Sequence, residues 1–188
     1  MLFKGTKELE TERLLLRKIK DGDYKIAYKE WCSDPDQVKY TIHGIHKNEE
    51  VTKKVYDRWI EEYSDPKTLR WIIVLKNNNE PIGTIDINNS MAKFSSVEPG
   101  YVIAKKYWGN GYATEALKAV MKYLFEELEV ELVYAEFMED NIGSGRVMEK
   151  CGMKKDGILR NRCVDKTGKR ENLLAYSITK DEFLNINS

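Results

Sequence analysis

The stretch GYVIAKKYWGNGYATEA, residues 100–116, decides the fold. Its first part is rich in β-forming residues, and its second part leads through two closely spaced glycines into an apolar pattern of helical period that continues to about residue 128. This order predicts a strand, a glycine loop and a long helix. Glycine allows ligands to approach the backbone closely, and a helix start offers unpaired N–H groups and the positive end of the helix dipole. We therefore predict that the loop binds phosphate.

Two known phosphate-binding patterns do not match this loop. The P-loop pattern G-x-x-x-x-G-K-[ST] occurs nowhere in the chain, and the dinucleotide fingerprint needs a third glycine or alanine where Thr114 stands. That fingerprint also belongs to a βαβ unit with parallel strands, whereas this loop follows a predicted antiparallel meander. Nicotinamide binding remains an alternative, and so does a plain sharp turn at Gly109 and Gly111.

The remaining segments predict further strands and helices on both sides of the loop. A strand within residues 11–19 precedes two amphipathic helices, and three short β-rich runs occupy residues 69–104. After the long helix, a strand at residues 132–138 leads to a shorter helix, and two final strands are joined by a turn at residues 165–169. The order βααβββαβαββ predicts an α+β or mixed α/β fold, not a doubly wound one.

Composition limits the function classes that this chain can serve. The 188 residues are 41% hydrophobic and fit one domain, and the 31 basic residues cancel the 31 acidic ones without forming a stripe, which argues against nucleic acid as a partner. The longest apolar run, residues 71–75, is far shorter than the roughly 20 residues that span a bilayer, and the first five residues do not resemble a signal peptide. Three widely spaced cysteines favour free thiols over a disulfide framework or a zinc site. We expect a soluble cytoplasmic protein.

Two motifs resemble those of the GNAT superfamily of N-acetyltransferases. WGNGYATEA, residues 108–116, is similar to the acyl-CoA loop Q/R-x-x-G-x-G/A. NIGSGRVMEKCGM, residues 141–153, is similar to the N-x-x-S-x-x-[VL]-x-x-K-x-G-F/M segment of the RimJ/RimL-like branch, which acetylates ribosomal-protein N-termini, and TERLLLR, residues 11–17, looks like the first strand of that branch. The resemblance covers about residues 9–180. It implies one GNAT-like domain across residues 1–188, with a mixed, largely antiparallel seven-stranded sheet flanked by four main helices.

The resemblance also implies a binding site for acetyl-CoA as cosubstrate. Backbone groups of Tyr101, Val102 and Ile103 would pair with the pantetheine arm. The pyrophosphate would lie against N–H groups of seven consecutive residues, namely Trp108, Gly109, Asn110, Gly111, Tyr112, Ala113 and Thr114. Trp108 stands at the Q/R position of the motif, so that the family's side-chain contact is lost there while the backbone contacts remain.

The second motif implies residues near the thioester and the adenosine. Asn141 and Ser144 would lie near the thioester, with Ser144 donating a proton or a hydrogen bond to the leaving CoA thiolate, and Lys150 would approach the adenosine phosphates. Each residue has a plain structural alternative: Asn141 as a helix N-cap, Ser144 as an ordinary first-turn residue and Lys150 as a solvated charge. Cys151 is expected in the core, without a chemical role.

The general base is the least determined part of the predicted site. Relatives that acetylate ribosomal N-termini place a glutamate in the strand after the second motif, and alignment from Ser144 puts Cys163 there, where a thiol is a poor substitute. Many members of the superfamily carry a carboxylate before the glycine loop, which here is Glu98; its alternative is an exposed charge at a strand end. Hydroxyls of Tyr101 and Tyr176 remain further candidates.

The acceptor is expected to be a primary amine, either a protein N-terminus or a small molecule. His43 and His46 lie in the loop where this family builds its acceptor site, and their spacing alone does not make a metal site, so no metal is predicted. Trp31, Trp59 and Trp71 belong either to the pocket wall or to the core. The alternative function is an acyl-CoA-binding or nucleotide-binding module without efficient turnover, and a monomer or homodimer is expected.

Overall fold

One mixed sheet organises the chain, and the computed structural model describes residues 1–40 and 44–187 of it. The strand order is β1-β2-β3-β4-β5-β6-β8-β7, and every neighbouring pair is antiparallel except β5 with β6. The strands are β1 Leu9–Glu10, β2 Leu14–Arg17, β3 Arg70–Leu75, β4 Glu80–Met91, β5 Ser96–Ile103, β6 Leu132–Met138, β7 Lys154–Val164 and β8 Arg170–Thr179. The predicted largely antiparallel fold is confirmed. Among the described residues there is one strand more than predicted, because Leu9–Glu10 pairs separately along β2.

The four predicted main helices are present, with two short additions. The helices are α1 Asp23–Ala27, α2 Pro35–Val38, α3 Glu49–Glu61, α4 Tyr112–Glu126, α5 Ile142–Lys150 and α6 Lys180–Asn187, and a π-helical turn at Tyr28–Cys32 continues α1. The first helical segment ends at Cys32, and Pro35 begins the separate short helix α2. The Asp34 carboxylate accepts a hydrogen bond from Asp36 N–H at 2.9 Å, and proline is well suited to a first helical position.

Helix α6 was not predicted, although the sequence contains its start signal. Thr179 and Glu182 form a capping box: Glu182 N–H donates to Thr179 Oγ1 at 3.3 Å, and Thr179 N–H donates to a Glu182 carboxylate oxygen at 3.0 Å. Only eight residues follow the cap, too few for a stable isolated helix. Phe183 anchors the helix to the domain, with its ring centroid 4.9 Å from that of Phe125.

Two hydrophobic layers cover the two faces of the sheet. The first, here called the α4 face, packs helices α4, α5 and α6 against the sheet, through residues such as Leu117, Leu124 and Met148. The second, the α3 face, packs α1 and α3 against residues such as Ile72 and Val74. Alternation along each strand therefore decides which face a side chain reaches.

The three cysteine thiols form no disulfide, as predicted. Within residues 1–40 and 44–187, helices of the length and apolar character needed to cross a membrane are absent.

Candidate functional site

The central strands β5 and β6 separate from each other. Their parallel pairing covers only Ser96 with Leu132 and Val97 with Val133, after which β5 stays paired with β4 and β6 stays paired with β8. From Glu98 onward, the side of β5 that faces β6 is therefore without a neighbouring strand. A strand edge of this kind presents backbone donors and acceptors to an extended ligand.

Helix α4 begins at the open end of this gap with a row of backbone amide groups. Gly111 is its N-cap, and the first backbone hydrogen bond of the helix runs from Glu115 N–H to Gly111 O at 3.0 Å. As far as the described residues go, the backbone N–H groups of residues 109–114 have no acceptor, whereas the Trp108 N–H, predicted to belong to this row, donates to Lys105 O at 3.1 Å. Unpaired amides at a helix start are a suitable site for an anion.

Both glycines of the loop adopt the left-handed conformation that favours glycine, with φ of 78° at Gly109 and 80° at Gly111. A Cβ on Gly109 would meet no described atom within 4 Å, so the space over the loop is open. The loop is therefore shaped by backbone conformation and not by close packing, which fits the predicted approach of a phosphate group.

Two side chains within the loop hold its shape. The Trp108 indole N–H donates to Ile103 O at 2.6 Å, and the Asn110 amide donates to Tyr107 O and Trp108 O, each at 3.1 Å. The half-exposed Trp108 ring thus fixes the turn, and the carbonyl of Ile103, one of the groups predicted to meet the pantetheine arm, already accepts a hydrogen bond.

Arg13 ties the loop to the other end of the sequence, a contact that sequence reasoning missed. Its guanidinium donates to Asn110 O at 3.1 Å and to the Glu115 carboxylate at 2.7 Å, and it lies 4.5 Å from the centre of the Tyr112 ring. The Glu115 carboxylate also accepts from Thr11 Oγ1 at 2.6 Å. Residues 11–17 were identified by their resemblance to the first strand of the RimJ/RimL-like branch. Nothing in the sequence, however, places that strand next to a loop almost one hundred residues away.

Helix α5 begins beside β5. Asn141 is its N-cap, with the side-chain oxygen accepting from Ser144 N–H at 3.3 Å, so the structural alternative for Asn141 is a role that it does fill. The Tyr101 hydroxyl donates to Ser144 O at 3.4 Å, which brings the two predicted residues together. Burial raises the pKa of Tyr101 far above its usual value, so this hydroxyl is a donor and not a base.

The far end of α5 approaches the start of α4. Cys151 Sγ contacts Thr114 O at 3.6 Å, and Cys151 is buried with its pKa raised to about 12 by desolvation, as expected for a core thiol. Its neighbour Lys150 is exposed at the last position of α5. The end of α5 that carries Lys150 therefore lies near the start of α4, and the approach of Lys150 to a phosphate group stays a prediction.

Glu98 lies at the point where β5 and β6 separate, on the α3 face. Desolvation raises its pKa, repulsion from Glu136 raises it further, and a hydrogen bond from the Glu136 backbone N–H partly offsets both effects. Val133 and Phe137 pack on the α4 face, so Glu136 between them extends to the α3 face, like Glu98. A raised carboxylate pKa suits a general base. Glu136 was not predicted, because its role depends on a neighbour in another strand.

The other candidates for the base do not lie with Glu98. Cys163 lies on β7, which β8 and β6 separate from β5, and its pKa is raised by desolvation and nearby carboxylates, so the thiol stays protonated. The Tyr176 hydroxyl donates to a Glu149 carboxylate oxygen at 3.1 Å. Neither group offers a free basic atom near the gap.

Helix α2 bridges the two separated strands. Asp36 forms an ion pair with Lys105, just after β5, and Lys39 pairs with Asp140, just after β6, at 3.1 Å. The Lys166 ammonium in the β7–β8 turn donates to Val38 O, which joins α2 to that turn as well. The segment around α2 therefore connects the ends of both separated strands with the β7–β8 turn.

The tryptophans and histidines considered for the acceptor site lie in different environments. Trp31 and Trp71 are buried in the core, and Trp59 packs between Tyr56 and the Arg70 guanidinium. His46 Nδ1 lies 2.8 Å from Thr52 Oγ1, and His43 lies outside the described residues. Over the described ranges, groups of three metal-binding side chains are absent.

Comparisons with known proteins agree with this geometry. The acetyltransferase (GNAT) domain family matches residues 13–154 of the chain. The uncharacterised N-acetyltransferase YoaA of Bacillus subtilis is 30% identical over 172 residues, covering 92% of this chain and 96% of the relative. A GNAT-family acetyltransferase structure from Bacillus anthracis has a TM-score of 0.81 at 28% identity, covering 93% of this chain and 99% of that one.

Two more distant structures share the fold. The ribosomal-protein-S5-alanine acetyltransferase of Vibrio fischeri has a TM-score of 0.80 at 20% identity, covering 94% of this chain and 98% of that one. The spermidine N-acetyltransferase of Vibrio cholerae, solved with CoA and spermine, has a TM-score of 0.79 at 18% identity, covering 93% of this chain and all of that one.

Proposed function

Because the chain belongs to the acetyltransferase (GNAT) family, we propose that it transfers an acetyl group from acetyl-CoA to the primary amine of a small molecule or a protein N-terminus. The observation that carries this proposal is the gap between β5 and β6, which ends at the unpaired amide row of residues 109–114. Bound acetyl-CoA would supply the acetyl group activated as a thioester.

The cosubstrate would be held mainly by backbone. The open edge of β5 at Tyr101, Val102 and Ile103 suits the amide groups of a pantetheine arm, and the amide row suits a pyrophosphate. Lys150, exposed at the end of α5, would add a positive charge. These residues fit the chemistry of CoA, since the open space over Gly109 admits a phosphate without any side chain in the way.

Glu98 is proposed to take the proton of the attacking amine. An α-amino group of pKa near 8 costs about 1 kcal/mol to deprotonate at neutral pH, whereas a lysine-like amine costs roughly 4 to 5 kcal/mol. The raised pKa of Glu98 reduces the pKa difference between this base and the amine. Its place on the α3 face lets the acceptor approach from the side opposite α4.

Ser144 is proposed to donate a proton or a hydrogen bond to the departing thiolate. Its backbone N–H is used by Asn141, and its carbonyl oxygen accepts from Tyr101, so the residue is fixed in place. In the free protein the Ser144 side chain also hydrogen-bonds to Tyr101, so its hydroxyl would exchange this partner for the thiolate.

The RimJ/RimL-like assignment rests on the likeness of residues 11–17 and 141–153 to that branch. Structures of this fold include enzymes named for each kind of amine, a ribosomal-protein-S5-alanine acetyltransferase and a spermidine N-acetyltransferase. The choice of acceptor, a cytoplasmic location and a monomeric or homodimeric state remain predictions.

The test is Glu98→Gln, with Glu126→Gln on the exposed side of α4 as a matched control. We expect kcat/KM for the amine to fall about 100-fold or more in Glu98→Gln, because general-base catalysis typically contributes that much. The dissociation constant of acetyl-CoA should stay unchanged in both variants. In the parent protein kcat/KM should rise with pH as Glu98 ionises, at a pH above that of an ordinary glutamate.

Unchanged kinetics in Glu98→Gln between about pH 6 and 9 would remove Glu98 from the mechanism. Acetyl-CoA binding without acetylation of any amine would instead support the alternative, an acyl-CoA-binding module.

A further inference from the structure

An open cavity of about 740 Å³ lies beside Glu136. Its lining consists of Glu136 from β6 and residues 158–162 from β7, including Arg160 and Arg162. Ligand cavities of small molecules commonly fall between about 300 and 1,000 Å³. The Glu136 backbone N–H donates to the Glu98 carboxylate, so the cavity lies next to the proposed base, although Glu98 is not among its lining residues.

The strand register explains the space beside Glu136. Glu136 pairs with Ala175 of β8, and Ala175 pairs with Gly157 of β7, so the two residues next to Glu136 across the sheet are both small. The pairing of β7 with β8 is then interrupted between Leu159 and Cys163. This bulge moves three consecutive residues out of the regular sheet.

Specific hydrogen bonds hold the bulge in one conformation. Asn161 has a φ of 54°, and its N–H donates to the Asn172 side-chain oxygen at 3.0 Å. The Arg170 guanidinium donates to Asn161 O at 3.3 Å. The two arginines that flank Asn161 are therefore presented by a fixed backbone.

The charges on the cavity wall are without partners, unlike other charges of the same hairpin. Lys154 pairs with Glu182, and Lys169 pairs with Glu171, each at 2.6 Å. Among the described residues, Arg160 and Arg162 form no ion pair, and the carboxylate of Glu136 pairs with no cation. A guanidinium matches a carboxylate or phosphate in shape and charge, and a carboxylate attracts an ammonium group.

We propose that the acceptor is a small amine that also carries an acidic group, with its ammonium end near Glu136 and Glu98 and its acidic end at Arg160 and Arg162. This inference rests on the proposed function, since it identifies the acceptor class of the same site. A polyamine would bring a second positive charge towards the two arginines, whereas an amino acid or amino phosphate would match both signs.

The test compares amines that differ in one substituent. β-Alanine carries a carboxylate, O-phosphoethanolamine carries a phosphate, propylamine is uncharged at that end, and putrescine carries a second ammonium group. For the parent protein we expect kcat/KM to be about tenfold or more higher for β-alanine or O-phosphoethanolamine than for propylamine, as for a charge-assisted hydrogen bond. The ratio between the two acidic amines distinguishes carboxylate from phosphate.

Variants assign the preference to the bulge. The double variant Arg160→Ala/Arg162→Ala should lose the preference while keeping its activity towards propylamine, and Arg160→Glu/Arg162→Glu should reverse it in favour of putrescine. Lys155→Ala, an exposed cation on the same strand outside the cavity, should leave it unchanged. Calorimetric binding of the same amines to the CoA complex supplies a readout that does not depend on turnover.

The outcomes separate this inference from the proposed function. Equal or better use of propylamine and putrescine would overturn the inference and leave the acetyltransferase intact. Selective binding of the acidic amines, dependent on the arginines but without turnover, would overturn the proposed function and keep the site. Neither turnover nor selective binding would overturn both.

Discussion

The two proposed sites, the glycine loop and the acceptor face, would recognise their ligands with different parts of the chain. Residues 109–114 offer consecutive backbone amides, shaped by two left-handed glycines. The acceptor face offers side chains from three strands: Glu98 of β5, Glu136 of β6 and two arginines of a bulge in β7. A site made of backbone groups is encoded by one short stretch of sequence. A site made of side chains depends on the strand order and register that bring distant residues together. The first can be common to many relatives, while the second would determine the acceptor.

Among the changes that test this difference between the two sites, Gly109→Ala is expected to have the largest effect on ligand binding. Gly168→Ala is its matched control. Both glycines have positive φ, 78° and 88°, and open space around the missing Cβ. Each change should therefore destabilise the fold by a similar amount, about 1 to 2 kcal/mol. Only Gly109→Ala should weaken acetyl-CoA binding, by about tenfold, because a 1.4 kcal/mol loss at the amide row is a factor of ten.

Thermal unfolding and calorimetry measure the two quantities separately. If acetyl-CoA affinity falls equally in both variants, or in neither, the loop is not the recognition element that this account makes it.

A smaller effect is expected from Arg13→Ala, which removes the tie from the first strand to Asn110 O and Glu115. The loop amides would keep their positions less well, and we expect the acetyl-CoA dissociation constant to rise about three- to tenfold, equivalent to roughly one charge-assisted hydrogen bond. Lys76→Ala is the control, since Lys76 contacts Glu10 and Thr11 O in the same segment without touching the loop. If the Arg13 and Lys76 variants bind acetyl-CoA equally well, the Arg13 contacts stabilise the fold without affecting the binding site.

The smallest effect is expected from Glu136→Gln, read as a change in pH dependence. Repulsion from Glu136 contributes to the raised pKa of Glu98, so its removal should lower that pKa. The rise of kcat/KM with pH would then shift to lower pH, whatever happens to the absolute rate. Glu131→Gln near the start of β6 should leave the profile where it is. A profile in Glu136→Gln that stays in place, or moves to higher pH, would show that the two carboxylates are not coupled.

The sequence predicted the elements that carry their own local signals. The strand Leu132–Met138 was predicted with its observed bounds, and the long helix with bounds within two residues, because alternation and helical period are local properties. Helix α6 was missed, although residues 179–182 contain a capping box, because eight residues need tertiary contacts to stay helical.

The site divides in the same way. The loop at residues 108–114 and the first turn of α5 at Asn141 could be identified from short motifs, and Tyr101 and Ser144 do meet. Arg13 and Glu136 could not be identified, since their partners are distant in sequence and become neighbours only through the strand order. The sheet order likewise separates Glu98 from Cys163, since it places the thiol two strands away from the gap.

The most direct test of the central claim, that the gap and the amide row form an acyl-CoA site, is thermal unfolding of the parent protein with acetyl-CoA, CoA, NAD or ATP. A ligand at one hundred times its dissociation constant adds about 2.7 kcal/mol of stability. We expect acetyl-CoA and CoA to raise the unfolding temperature, and NAD and ATP to leave it unchanged. Stabilisation by NAD or ATP without stabilisation by the CoA species would contradict it.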